Sequence, residues 1–134
     1  MKQLFAGIMT KFSTGAPAIY TNLAGRLRLH EAEQDEALPY AVYYMIGDAP
    51  DYYFGEQLLH STTLQFTIFA DDASSENICT YFDNLTALYD ECTLTVATYG
   101  FLRMERTWAY LLRDAEEAIW QYVIQYRVTM EKTT

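Results

Sequence analysis

The chain has 134 residues, is 51% hydrophobic and 16% aromatic, and carries a formal net charge of -9. That length suits one domain with a core, spanning residues 1–134, and the apolar content excludes a disordered chain. The acidic balance excludes a binder that relies on phosphate contacts, and no apolar run reaches the ~20 residues of a membrane span. The opening Met1-Lys2-Gln3-Leu4-Phe5 lacks the apolar stretch of a signal peptide, so assembly in the cytoplasm is expected.

A helix is expected from Lys2 to Lys11 or Phe12, because Leu4, Ile8 and Phe12 recur at helical spacing with Phe5 and Met9 beside them. Ser13-Thr14-Gly15-Ala16-Pro17 ends it, since glycine supplies a stop and proline cannot continue a helix. Ile19-Tyr20 and then Arg26-Leu27-Arg28-Leu29 read as a short alternating edge strand, followed by a solvated acidic loop from Glu31 to Glu36. Leu38-Pro39-Tyr40 starts the next strand, with Tyr40, Val42, Tyr44 and Ile46 on one parity. Leu64, Phe66 and Ile68 mark its partner, with Thr63, Gln65 and Thr67 facing out. The stretch between, Gly47 to Ser61, far exceeds the ~2–5 residues of a hairpin loop and reads as a functional arm. Three consecutive aromatics, Tyr52, Tyr53 and Phe54, cannot all enter one core from an extended segment, so they are candidate partner-facing residues.

Asp71 to Glu76 has the cap formers and acids of a helix start. Ile78, Phe82, Leu85, Leu88 and Tyr89 form that helix's apolar stripe, and Glu76, Asp83 and Asp90 share another face. Thr93 to Thr98 is a short strand or extended connector, and Gly100 lets the chain turn onward. From Phe101 to Met130 the pattern alternates on both sides of Asp114-Ala115-Glu116-Glu117, which predicts a long antiparallel hairpin. Its expected core face is even-numbered: Leu102, Met104, Trp108, Tyr110 and Leu112 on one arm, Trp120, Tyr122, Ile124, Tyr126, Val128 and Met130 on the other. Arg106 falls on that parity and marks either a bulge or an internal ion pair. The fold class expected is α+β: an antiparallel sheet with a long C-terminal hairpin and two helices packed on one face.

Charge is segregated along the chain. No Lys or Arg lies between Leu29 and Leu102, a stretch that holds thirteen of the eighteen acids. Such a distribution suits either a solvated surface or an acidic part that meets a neighbour's basic part. Chemistry is sparse: there is no phosphate-binding glycine loop, no His-Glu-x-x-His, no Cys-x-x-Cys and no Gly-x-Ser-x-Gly. His30 and His60 are isolated and read as surface residues, Asp71-Asp72 and Glu116-Glu117 sit at turns, and Cys79 and Cys92 read as small, partly buried thiols. Not an enzyme is the reading, with no catalytic, cofactor-binding or metal-binding residue assigned.

The layout resembles the small tail-completion, or tail-terminator, proteins of long-tailed bacteriophages and prophages. The likeness lies in the amphipathic N-terminal helix and the strand Leu38-Pro39-Tyr40-Ala41-Val42-Tyr43-Tyr44 running into Ile46-Gly47-Asp48. It extends to the strand Gln65-Phe66-Thr67-Ile68-Phe69-Ala70 entering a helix, and to the closing hairpin, covering about Lys2 to Met130. The resemblance implies a structural virion protein that forms a ring, usually hexameric, at the head-proximal end of the tail. Its partners would be the tail tube protein and the head connector, with DNA passing through without being specifically bound and no membrane involved. In such a ring Glu76, Asp83 and Asp90 are candidate lumen-facing residues. The rival readings are an acidic DNA mimic that inhibits a nucleic-acid-binding partner, and a small hydrolase or ligand-binding domain walled by Tyr52-Tyr53-Phe54.

Overall fold

The periodicities above become eight elements in a computed structural model that describes residues 2–53 and 56–132, with only the backbone of 50–53 and 56–58. Helix α1 spans Lys2–Ser13 and buries Leu4, Ile8 and Phe12 together with Gly7. A Cβ at Gly7 would stand 2.9 Å from the Thr95 carbonyl oxygen, so glycine lets α1 lie directly on the connector 93–98. Helix α2, Ala18–Leu23, corrects the expected strand at Ile19-Tyr20. Pro17 precedes it, Ile19 and Leu23 are buried one turn apart, and Ala24 (φ 50°) with Gly25 (φ 76°) ends it.

Strand β1 is Leu27–Leu29, β2 is Tyr40–Tyr53 and β3 is Glu56–Ala70. Helix α3 is Glu76–Tyr89, β4 is Tyr99–Asp114 and β5 is Ile119–Lys132. The sheet order is β1-β2-β3-β5-β4, antiparallel throughout except that β1 joins β2 in parallel. The architecture is α+β, with three helices where two were expected.

One face of the sheet meets the helices. Ala41, Tyr43, Leu64, Phe66, Ile68, Ile124, Tyr126, Val128 and Met130 pack there with Leu4, Ile8, Ile19, Leu23, Ile78, Leu85 and Tyr89. At the centre, Phe66 stacks on Tyr43 (5.6 Å between centroids), contacts Tyr89 at 4.9 Å and meets Tyr126 edge-on at 5.7 Å. Aromatic pairs of this geometry add about 0.5–1.5 kcal/mol each beyond their buried area. The tyrosines keep their hydroxyls satisfied: Tyr89 donates to the Ile8 carbonyl at 3.0 Å and Tyr43 to the Phe5 carbonyl at 3.5 Å, tying α1 to the core. Side chains Asn84 and Asn22 join α3 to α2.

The even-numbered core face holds along β5, and β4 departs from it. Register shifts between Phe101 and Arg103 and between Arg106 and Trp108 insert an extra residue each time. Each insertion moves the following side chains to the other face. Met104 opposite Val128 is fully buried, and Ala109 and Leu111, opposite Ile124 and Tyr122, are the residues packed on the core further along. Leu102 at 54% exposure, and Trp108 and Tyr110 at 44% each, therefore lie outside the core that the parity assigned them. Both alternatives for Arg106 hold together: it precedes the second bulge, and its guanidinium pairs with Asp90 at 3.3 Å.

The stretch from Gly47 to Ser61 is a ladder where a loop was expected. Gly47 pairs with Thr63, Asp48 with Thr62, and pairing continues to Tyr53 and Glu56 across one register shift between Asp51 and Tyr52. At the root of this ribbon, His60 is buried, contrary to the surface position expected of it. Its Nδ1 lies 3.2 Å from Oδ2 of Asp48, and the buried Thr62 hydroxyl donates to Oδ1 of the same carboxylate at 3.1 Å.

Candidate docking surfaces

Strand alternation sends Tyr40, Val42 and Tyr44 of β2, Gln65, Thr67 and Phe69 of β3, and Gln121, Val123 and Gln125 of β5 to the face opposite the helices. The second β4 bulge adds Trp108 and Tyr110 to that face, stacked 5.0 Å apart with only 9° between their planes. Tyr40 stacks on Phe69 at 4.9 Å. Between these aromatic pairs runs a neutral polar line: Gln125 donates to Gln65 Oε1 at 3.1 Å, and Gln65 donates to the Tyr44 hydroxyl at 2.6 Å. Val42, Thr67 and Val123 floor a concavity of about 430 Å³ rimmed by Tyr40, Phe69 and Tyr110. Aromatic rings and carboxamides offer contact area and hydrogen bonds, and His30 and Glu31 also line the concavity.

The charges segregated in sequence are partly joined by the fold. Arg28 bonds Glu36 at 2.6 Å, Arg103 pairs with Glu91 at 2.9 Å, and Arg106 pairs with Asp90. Flanking arginines thus neutralise acids of the central segment within the same chain, where the sequence had suggested a neighbour's basic part. Partnership leaves its mark on ionisation: donating to Glu36 raises Arg28, donating to Glu91 raises Arg103, and the bond Glu105 accepts from Arg127 lowers Glu105. Burial pushes the Cys92 thiol up to about 11, which keeps it protonated, and its Sγ lies 3.7 Å from Met104 Sδ. Cys79 and Cys92 are both free, and Cys92 lies beyond the end of α3.

Glu76 opens α3 and is exposed, as is Asp83. Asp90 follows the last helical residue in an extended conformation, so it leaves the face it was expected to share. It accepts a 2.7 Å bond from Tyr126 besides pairing with Arg106. For the expected partner-facing aromatics, Tyr52 and Tyr53 lie on β2 with their side chains outside the described residues, and Phe54 lies outside them altogether. The docking face itself was missed at the sequence level. Its signal was present in the polar parity of Gln65, Gln121 and Gln125 beside Tyr44, but the β4 aromatics join it only through the bulges.

Among the described residues, no group of three or more His, Cys, Asp or Glu side chains could hold a metal ion. No helix there is long and apolar enough to cross a membrane.

No protein-family model matches the chain, and no curated protein matches it by sequence. Its fold is similar to that of a chain in the virion of a native gene transfer agent particle, with a TM-score of 0.77. The alignment covers 96% of this chain and 94% of the other at 9% identity, so the two share an architecture almost end to end.

Proposed function

We propose that this protein is a structural component of a phage-like virion, and within it the tail-completion subunit. In this role copies form a ring, hexameric in its finished form, that caps the tail tube at its head-proximal end and meets the head connector. The observation that carries the reading is the likeness of fold to a gene transfer agent virion chain over nearly the full length of both. A surface of aromatic and carboxamide side chains fits a protein whose work is contact with other proteins. The rival reading as a DNA mimic is less favoured, because Arg28, Arg103 and Arg106 neutralise acids that a mimic would display.

Net charge is strongly negative, so DNA crossing the ring is repelled rather than held. Glu76 and Asp83 face the lumen in this arrangement, whereas Asp90, expected beside them, is turned to Tyr126 and Arg106. Deleting the gene from a virion-producing host, followed by electron microscopy, tests the assignment. Unjoined heads and tails are expected, with tails of irregular length; joined particles of normal length would overturn it. Glu76→Lys with Asp83→Lys tests the lumen separately, since particles should still assemble while DNA ejection slows. Unchanged ejection from assembled particles would remove the lumen assignment alone.

A further inference from the structure

The two ends of the strand order are unequal and complementary. On the outer side of β2, β1 pairs only with Ala41, Val42 and Tyr43, so among the described residues no strand covers that edge from Tyr44 onward. On the outer side of β4, the Glu91 amide donates to the Met104 carbonyl at 3.0 Å and covers the first half of the strand. From Thr107 to Asp114 no strand among the described residues pairs with the outer edge of β4. An unpaired edge is a template for another chain, and natural proteins blunt such edges with charge unless the edge is used.

Here the edges carry the apolar surface. Among the described residues the exposed large hydrophobics are Leu29, Met45 and Ile46 at the β1–β2 end and Leu102, Trp108 and Tyr110 on β4. Every one of them lies on an edge strand, divided equally between the two ends. Ile46 is the residue inserted at the β2 bulge and is 51% exposed. Direction agrees as well: each step from β2 to β3, β5 and β4 is antiparallel, so β2 and β4 run oppositely. A second copy placed with its β4 beside this β2 would continue the sheet in antiparallel fashion. Beside the β2 edge, the 31–36 loop carries four acids, two of them paired with Arg28 of β1, and Arg113 lies on the unpaired part of β4.

We infer that copies of this chain join head to tail, the β2 edge from Tyr44 onward pairing with the β4 edge from Thr107 to Asp114 of the next copy. The inference rests on the ring reading above and names the interface that closes the ring. Unlike patches meet in such a contact, and repetition of one contact gives a ring when the rotation closes. Main-chain bonds hold the strands, and Ile46 meets Trp108 and Tyr110 as the apolar centre.

Native mass spectrometry of three purified proteins tests it: the wild type, Ile46→Lys and Trp108→Lys. The substituted side chains are exposed, so far-ultraviolet circular dichroism should match the wild type and each variant should still melt cooperatively. We expect a closed oligomer for the wild type and monomers for each variant. Mixing the two variants should restore one intact contact, Ile46 of one copy meeting Trp108 of another in neither mutated form, and give a 1:1 dimer that grows no further. Oligomers unaffected by either lysine would overturn the edge contact and leave the ring reading standing. Loss with Trp108→Lys alone would show β4 pairing with itself, which also overturns it. A wild type that stays monomeric under chemical cross-linking would overturn the ring reading and this interface together.

Discussion

The phenol of Tyr126 donates to Oδ1 of Asp90 at 2.7 Å, fastening the middle of β5 to the residue that ends α3. Arg106, on the strand beside β5, pairs with the other oxygen of the same carboxylate at 3.3 Å. One acid from the acidic central segment therefore holds three elements together. A hydrogen bond to a charged group contributes about 1.5–3 kcal/mol, so Tyr126→Phe should lower stability by that amount with little loss of packing. Urea unfolding of Tyr126→Phe, Asp90→Ala and the double variant gives the coupling. Coupling below about 0.5 kcal/mol, the range of changes that touch no special feature, would show the bond to be incidental.

Alkaline pH should weaken the fold through its buried tyrosines. Burial pushes Tyr43 up to about 12 and raises Tyr89 well above the ordinary value; burial and the bond to Asp90 raise Tyr126 too. The folded state holds these protons longer than the unfolded chain does. Stability is therefore full below the unfolded value near pH ~10 and is lost as pH rises through the folded values. Each tyrosine contributes a slope of about 1.4 kcal/mol per pH unit above pH ~10, so three give roughly 4. Urea midpoints from pH ~8 to ~11.5 measure this, and Tyr126→Phe should shallow the slope by about a third. A profile as flat above pH ~10 as below it would contradict the burial of these hydroxyls.

The bulged register of β4 separates two side chains that simple alternation would pair. Met104→Ala should cost about 2–5 kcal/mol, because it empties a fully buried position opposite Val128. Trp108→Ala should cost the monomer about 1 kcal/mol at most, the scale of its stack on Tyr110. Comparable losses for the two, measured by urea unfolding of monomeric protein, would place Trp108 in the core after all.

The ribbon beyond Pro50 and His60 should be separable from the folding of the sheet. Replacing Asp51 through Leu59 with Asn-Gly joins the paired Pro50 and His60 and retains the Asp48–Thr62 contact. The shortened protein is expected to melt cooperatively within a few degrees of the wild type and to lose assembly with its partners. An early, broad melt would show that the ribbon helps hold the core.

Much of this molecule is determined locally. Leu4, Ile8 and Phe12 recur every turn, so α1 buries one stripe whatever it packs against. The alternation from Trp120 to Met130, broken only by Val123, likewise gives β5 its inward face, since each side chain reverses direction from the last. Local pattern fails where pairing decides. The inserted residues at Leu102 and Thr107 are bulges only because β5 runs beside them in a set register, and no feature of β4 alone says where its parity changes. Ile19 and Tyr20 suit a strand by composition, yet Leu23 one turn later meets the same core, and that contact makes them a helix. The docking face and the pairing of Asp90 with Arg106 belong to the same class. Each brings together residues from separate elements, and only the assembled sheet sets the distances that create them.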